Sequence, residues 1–438
     1  MWNNKIDQTT TAVTCPGCGL SCDDLRIETG NGRLTSMHNG CEQARRFYHS
    51  AFDNIDRTPR IDGAPSSLDE AIDKGAELLL QSRSPLFAGL ATDVNGMRGI
   101  LGLADRCGAT LDHMNGDAIL RNLRVVQDNG WFTTTFTEVR NRADLILLVG
   151  SQCIERFPRL VERVIHPAEG LFSGPDDRKL VLLGPWVGSR LPDELAPLNP
   201  TLIPIGLEAL SDAVAMLRAL VAGQPVNTGR LDDNLGDALR GLADELKTAA
   251  YSVICWSAAE LDMPHSELTI LGLAELAKAL NRESRSAALP LAGTQGDITC
   301  NQVATWQLGY PVRTRLQRGY PEHDPLLNRW QDLIERGEND LLLWIASLSS
   351  ETTPPSCDVP TIVLGHPGMV FKAPPALYIP VGVPGIDHQG HWYRSDSVCS
   401  LPLGKLREIG LPSVGHLINR LHERLRSASG EPVGGAPC

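Results

Sequence analysis

The feature that most constrains this chain is a repeated rhythm of short apolar runs, each rich in β-formers and closed by a turn residue. Residues 85–90, 143–150, 179–184, 252–256, 341–346, 360–365 and 376–381 all have this form. Runs that are apolar on both faces predict buried parallel strands, and parallel strands need long crossover connections, usually helices. The rhythm therefore predicts an α/β architecture. Helical stretches fill the gaps: Ser67 and Glu70 stand three apart as a capping box before an apolar run, residues 207–222 and 231–248 are amphipathic, and a further helix is expected near 414–427. A chain of 438 residues exceeds what one hydrophobic core organises, so more than one domain is expected.

A formal net charge of −12 argues against nucleic acid as a partner, because neutralising phosphates requires a net basic face. The one Arg-rich stretch, 313–318, reads as a solvated helix face. No apolar run approaches the roughly 18 residues needed to span a membrane. The start, Met1-Trp2-Asn3-Asn4-Lys5, lacks the apolar core of a signal peptide, so the expected location is the cytoplasm. In that compartment the 11 cysteines are expected as thiols or metal ligands rather than disulfides.

Spacing divides them. Cys107, Cys153, Cys255, Cys300, Cys357, Cys399 and Cys438 are scattered and read as structural. Cys15, Cys18 and Cys22 lie in Cys-Pro-Gly-Cys-Gly-Leu-Ser-Cys, and Cys41 follows after an excursion. Residues 25–28 and 34–37 alternate around the turn 29–32, which predicts a β-hairpin returning Cys41 to the first three. A zinc ribbon usually pairs two C-x2-C units, whereas C-x2-C-x3-C with a distant fourth Cys suits a [4Fe–4S] cluster better. Cluster, zinc and a vestigial metal-free site all remain open from spacing alone.

Several strands end at glycine, as at Gly150 and Gly184, where open α/β sheets place ligands, but neither GxGxxG nor GxxxxGK[ST] is present. His388 and His391 have chelating spacing, yet their Gly-rich turn favours hydrogen bonding within the loop, and His366 after a strand reads the same way. Trp306, Tyr310, Trp392 and Tyr393 are expected to pack at domain or subunit faces.

An N-terminal four-Cys element followed by α/β domains resembles the molybdenum and tungsten bis-pterin oxidoreductases. The finer match is to the B subunits of the formylmethanofuran dehydrogenase family. It is carried by Cys15 to Asp24, by Gln127-Asp128-Asn129-Gly130 running through Thr135 to Asp144, by Asn301 to Pro311, and by Gly385 to Asp396, and so covers nearly the whole chain. The resemblance implies a molybdopterin-oxidoreductase-like fold, of the formate dehydrogenase and DMSO reductase kind, with Rossmann-like parallel sheets and a small four-Cys β element. The expected organisation is a four-Cys element at 1–58, an α/β domain at 59–138 plus 286–405, an inserted Rossmann-like domain at 139–285, and a helix followed by a tail whose composition reads as flexible at 406–438.

Redox-active members hold their metal with a protein Cys or selenocysteine, which should fall within residues 113–122, near Ala118; no Cys lies there. Cys107 comes too early to replace it without breaking the register of both flanking blocks. An Ala cannot supply the soft thiolate such a centre uses, so no molybdopterin or tungstopterin is expected. After Gly150 the family's Asn-Pro pair is also missing, although Pro158-Arg159 is kept.

Relatives with this loss form the non-redox branch, the B subunits of the bacterial formyltransferase/hydrolase complex. The resemblance then implies a noncatalytic scaffold in one-carbon metabolism. Its partners would be the amidohydrolase-like A subunit, the D subunit acting as formyltransferase, and the C subunit of the same complex. Together they would convert formyl-tetrahydromethanopterin to formate through a methanofuran-like carrier. Whether the chain is itself an enzyme stays open at this point. The alternatives are a catalytic tungsten or molybdenum protein and a cluster-bearing electron-transfer protein. If the carrier's acidic tail touches this chain, Arg140, Arg142 and Arg394 are the candidate contacts.

Overall fold

In the computed structural model, which describes residues 8–53, 55–174, 177–186, 191–226 and 233–428, local signals of the sequence become elements by identifiable chemistry. Ser67 accepts a hydrogen bond from the Glu70 amide at 3.2 Å while the Glu70 carboxylate accepts from the Ser67 amide at 2.9 Å, so helix Leu68–Gln81 opens on a complete capping box. Asn31 and Gly32, with φ of 56° and 73°, form the two-residue turn between strands Leu25–Gly30 and Arg33–His38. Two successive positive φ values match the twist of a tight hairpin. Strand Gln8–Val13, absent from the sequence expectations, adds to this hairpin as a third antiparallel strand.

All seven apolar runs are strands, and each pairs in parallel with a neighbour in one of two sheets. The larger sheet has the order Glu322–His323, Thr314–Arg315, Thr110–Leu111, Pro85–Ala91, Leu341–Ala346, Thr361–Gly365, Leu377–Pro380, Arg60–Ile61, Ala64–Pro65. The smaller runs Thr201–Pro204, Lys179–Gly184, Leu145–Val149, Tyr251–Ser257, Arg285–Leu291. In each, chain order reverses beside a central strand: between 85–91 and 341–346 in the larger sheet, and between 145–149 and 251–257 in the smaller.

The chain forms two compact units: an outer one, 1–116 with 293–438, and one inserted into it in sequence, 117–292. These boundaries differ from the expected 138/139 and 285/286. The reason lies in helix Gly116–Asp128, whose Val125 packs in the core of the inserted unit and whose Asn122 accepts a hydrogen bond from the Trp256 indole at 3.0 Å. The four-Cys element is no separate body. It belongs to the outer unit, where the Ser395 amide donates to the Gly19 carbonyl at 2.8 Å and the Arg407 guanidinium donates to the Ala51 carbonyl at 2.6 Å.

The C-terminal helix Val414–Ala428 buries Leu417, Ile418 and Leu421 in the outer core; the tail expected beyond it, like residues 1–7, lies outside the described residues. The Arg-rich stretch is not a solvated helix. Thr314–Arg315 is a strand paired with Thr110–Leu111, and Arg313 is buried against Asp112 at 3.3 Å, so its charge is neutralised inside the fold. No described helix is long and apolar enough to cross a membrane.

Candidate functional site

The four-Cys loop closes on itself through backbone bonds. The Cys15 amide donates to the Cys22 carbonyl at 2.8 Å, and the Ser21 amide to the Cys18 carbonyl at 3.2 Å. Ser21 takes φ 49°, the left-handed conformation that lets the loop turn back. Gly17 sits in tight space: a Cβ there would lie 3.2 Å from the Gln43 carbonyl oxygen and 3.3 Å from Cys15 Sγ. Gly293, at φ 97°, lies so close beneath the loop that a Cβ would fall 2.5 Å from Gly19 Cα.

Cys15, Cys18 and Cys22 are buried, and Cys41 is half-buried at the start of helix Glu42–Phe52. The Cys18 thiol is pushed up to about 12, chiefly by burial and in smaller part by the neighbouring Cys22 and Cys41, against the pull of the Leu20 and Ser21 amides. Cys15 is raised well above its ordinary value by burial first and then by Cys18, with smaller contributions from Cys22 and Cys41. Each of the two raised thiols feels the other cysteines, and both stay neutral at pH 7 unless a cation draws off their protons. The Gly17 amide lies 3.4 Å from Cys15 Sγ, a donor that favours a charged sulfur. The donor set fits a thiolate-held group in its chemistry. In geometry, no three His, Cys, Asp or Glu side chains among the described residues are arranged to hold a metal ion.

Beside this loop opens a cleft of about 270 Å³ lined by Pro16, Gly17, Arg46, Gln295, Leu348 and Ser349, among others. Leu348 and Ser349 follow the carboxyl end of strand Leu341–Ala346, one of the pair at which the larger sheet reverses order, the place where such sheets take ligands.

The same end of the sheet carries a network that sequence reasoning missed. Asp112, fully buried after strand Thr110–Leu111, accepts from the amides of His113 and Trp330, both at 2.9 Å, and pairs with Arg313. His113 is held near pKa 4 by burial; its Nδ1 accepts from the Asn115 amide at 2.9 Å and its Nε2 lies 3.0 Å from the Gln295 carbonyl. Asp297 is raised to about 7 by burial, despite accepting from the Gly293 and Ile298 amides at 2.7 and 2.6 Å. These groups are tied to one another and to backbone, so the network fixes the loop's shape.

Ala118 lies in the first turn of helix Gly116–Asp128, just after these residues. Cys107 ends helix Val94–Cys107, capped by left-handed Gly108, and so precedes strand Thr110–Leu111, whereas residues 113–122 follow it. A strand separates the thiol from the expected ligand position, placing it at the opposite end of the sheet.

Of the other candidates, His388 contacts the Gln389 and Gly382 carbonyls at 2.8 and 3.2 Å, His391 is exposed, and His366 is fully buried with Nδ1 accepting from the Gly368 amide at 3.0 Å. Trp392 is fully buried and Tyr393 packs on the outer core, whereas Trp306 and Tyr310 are exposed. Arg394 is bound to Asp396 at 2.7 Å, Arg142 pairs with Glu138 at 3.6 Å and covers the Phe172 ring, and Arg140 is exposed.

No known family model matches the chain. Curated relatives do. The B subunit of the tungsten-containing formylmethanofuran dehydrogenase 2 of Methanocaldococcus jannaschii is 26% identical, over 93% of this chain and 95% of the relative. The B subunit of the formyltransferase/hydrolase complex of Methylorubrum extorquens is 29% identical, over 74% of this chain and 85% of the relative. A chain of the crystal structure of that formyltransferase/hydrolase complex with methylofuran superposes with a TM-score of 0.72 at 26% identity, covering 85% of this chain and 100% of the other. Over most of its length the chain is thus similar to this family of B subunits. The match to the solved chain is to its mixed α/β fold with parallel sheets, and within the family the stretch 113–122 of this chain contains no thiol.

Proposed function

We propose that this chain is the B subunit of a formyltransferase/hydrolase complex and has no active site of its own. It docks and orients the amidohydrolase-like A subunit, the formyltransferase D subunit and the C subunit, which together release formate from formyl-tetrahydromethanopterin through a methanofuran-like carrier in the cytoplasm. Its two parallel sheets and four-Cys hairpin are read as the molybdopterin-oxidoreductase-like fold kept after its centre was lost.

The observation that carries this reading is the helix after strand Thr110–Leu111. Ala118 occupies its first turn, Cys107 is at the far end of the strand, and nothing from 113 to 122 can give a thiolate. A molybdenum or tungsten centre would have no soft protein ligand here.

The four cysteines are proposed as a retained thiol site, one that would hold a [4Fe–4S] cluster if loaded and is vestigial if not. The second reading, a redox-active chain, draws on the relatives named as tungsten-containing dehydrogenases and on the kept cysteines. Anaerobic assay of the purified complex separates the two. Formyl transfer and hydrolysis without viologen-dependent formyl oxidation is expected; viologen reduction coupled to formyl oxidation would make the chain catalytic.

A further inference from the structure

The inserted unit carries a carboxylate where its sheet would otherwise receive a ligand. Its five strands reverse order between Leu145–Val149 and Tyr251–Ser257, and the crevice beyond the carboxyl ends of such a pair is where open α/β sheets bind nucleotides. Gly150, at φ 95°, ends the first of these strands. Three residues beyond the second, the Glu260 side chain enters the crevice, 5% exposed.

Its Oε1 accepts from the Ser151 amide at 2.6 Å and the Ser151 hydroxyl at 2.9 Å, and its Oε2 accepts from the Gln152 amide at 2.9 Å. Any Cβ at Gly150 would run into this carboxylate, so the strand end is shaped around it. The turn that presents Glu260 is braced on both sides by Arg121, which donates to the Ala258 carbonyl at 2.8 Å and pairs with Asp262.

A buried carboxylate is costly unless its lone pairs are met, and here backbone and hydroxyl donors meet them as they would meet a phosphate. We infer that Glu260 is an internal ligand of the inserted unit, filling the strand-end crevice in place of a nucleotide. The unit is thereby complete without a cofactor and closed to one. This deepens the noncatalytic reading and rests on it only for its biological sense; the geometry stands within residues 117–292 alone.

The test uses the intact complex. Calorimetric titration with ADP, GDP and inorganic phosphate is expected to show no binding tighter than about 1 mM to the wild type. Glu260→Ala leaves two amides and a hydroxyl without their acceptor and is expected to lower Tm by roughly 5 °C or more. Glu260→Gln keeps one acceptor oxygen and sets an amide donor against a donor, so a smaller fall is expected. Arg121→Ala, which leaves Glu260 itself intact, serves if the first variant does not assemble, and should also lower Tm.

Nucleotide binding to the wild type would overturn the inference, as would unchanged Tm in Glu260→Gln and Arg121→Ala. The noncatalytic reading fails on a different readout, viologen-coupled oxidation, so the two can fall separately.

Discussion

The two units meet the same problem, a polar strand end beside a reversal of sheet order, in different ways. The inserted unit satisfies its strand-end amides with one carboxylate from its own chain, Glu260. The outer unit holds its loops with buried ion pairs, Asp112 with Arg313 and Asp387 with Arg407, and keeps buried thiols and a cleft beside them. Neutral backbone partners tolerate the loss of one contact, whereas a buried pair deprived of one member leaves a charge with no solvent. The outer unit should therefore be the more fragile to single substitutions and to pH.

The largest expected effect is at Arg407, whose Nε lies 2.6 Å from Asp387 while its Nη2 holds the Ala51 carbonyl. Arg407→Ala strands the Asp387 carboxylate and should cost about 3–5 kcal/mol, read as an early denaturant transition of the outer unit with the inserted unit's transition unmoved. Coincident transitions moving together would erase the contrast between the units.

Next is Gly293→Ala, which forces a side chain into Gly19 at a positive φ and should cost about 3 kcal/mol. It should also expose Cys15, Cys18 and Cys22 to thiol reagents. Unchanged thiol reactivity would mean that the loop does not depend on its bed.

The smallest of the three is a pH effect. His113 and His366 are both lowered from 6.5 to about 4 by burial, and Arg407 also lowers His366. A depressed histidine contributes stability that is full above 6.5 and is lost as pH falls through 4. Asp297, raised from 3.8 to about 7 by burial, acts oppositely: its contribution is full below 3.8 and is lost as pH rises through 7. Two histidines outweigh one aspartate, so the outer unit should lose stability from pH 6.5 to 4. Asp297→Asn should steepen that loss, because it removes the opposing group, and should stabilise the unit at pH 7. A flat profile between pH 6.5 and 4 would break this account.

Much of the fold was legible because parallel strands buried on both faces must be apolar throughout, and all seven such runs are strands. Arg285–Leu291 escapes such a reading because an edge strand can carry Arg285, Ser286 and Pro290, and Thr201–Pro204 is half exposed for the same reason. The domain crossing is displaced from its expected place because an apolar helix face does not say which core it joins; Val125 reads identically in either. Arg313 reads as solvated because a charge buried by a partner about 200 residues away leaves no local trace.

Cys15, Cys18, Cys22 and Cys41 stand out in the sequence because their spacing carries chemistry, and the structure buries the first three without arranging three side chains to hold a metal ion among the described residues. Glu260 was invisible: an acidic residue shortly after a strand reads as a solvated turn until the fold carries it to Ser151 and Gln152.

The central claim, a B subunit without a redox centre, is tested most directly by analysis of iron, molybdenum and tungsten, with extracted pterin, in the complex purified anaerobically. The account predicts neither molybdenum nor tungsten and no pterin, with iron either at about four per chain, held by the four cysteines, or absent. Molybdenum or tungsten at one per chain together with pterin would contradict it, and would mean that a metal centre can be held where Ala118 stands.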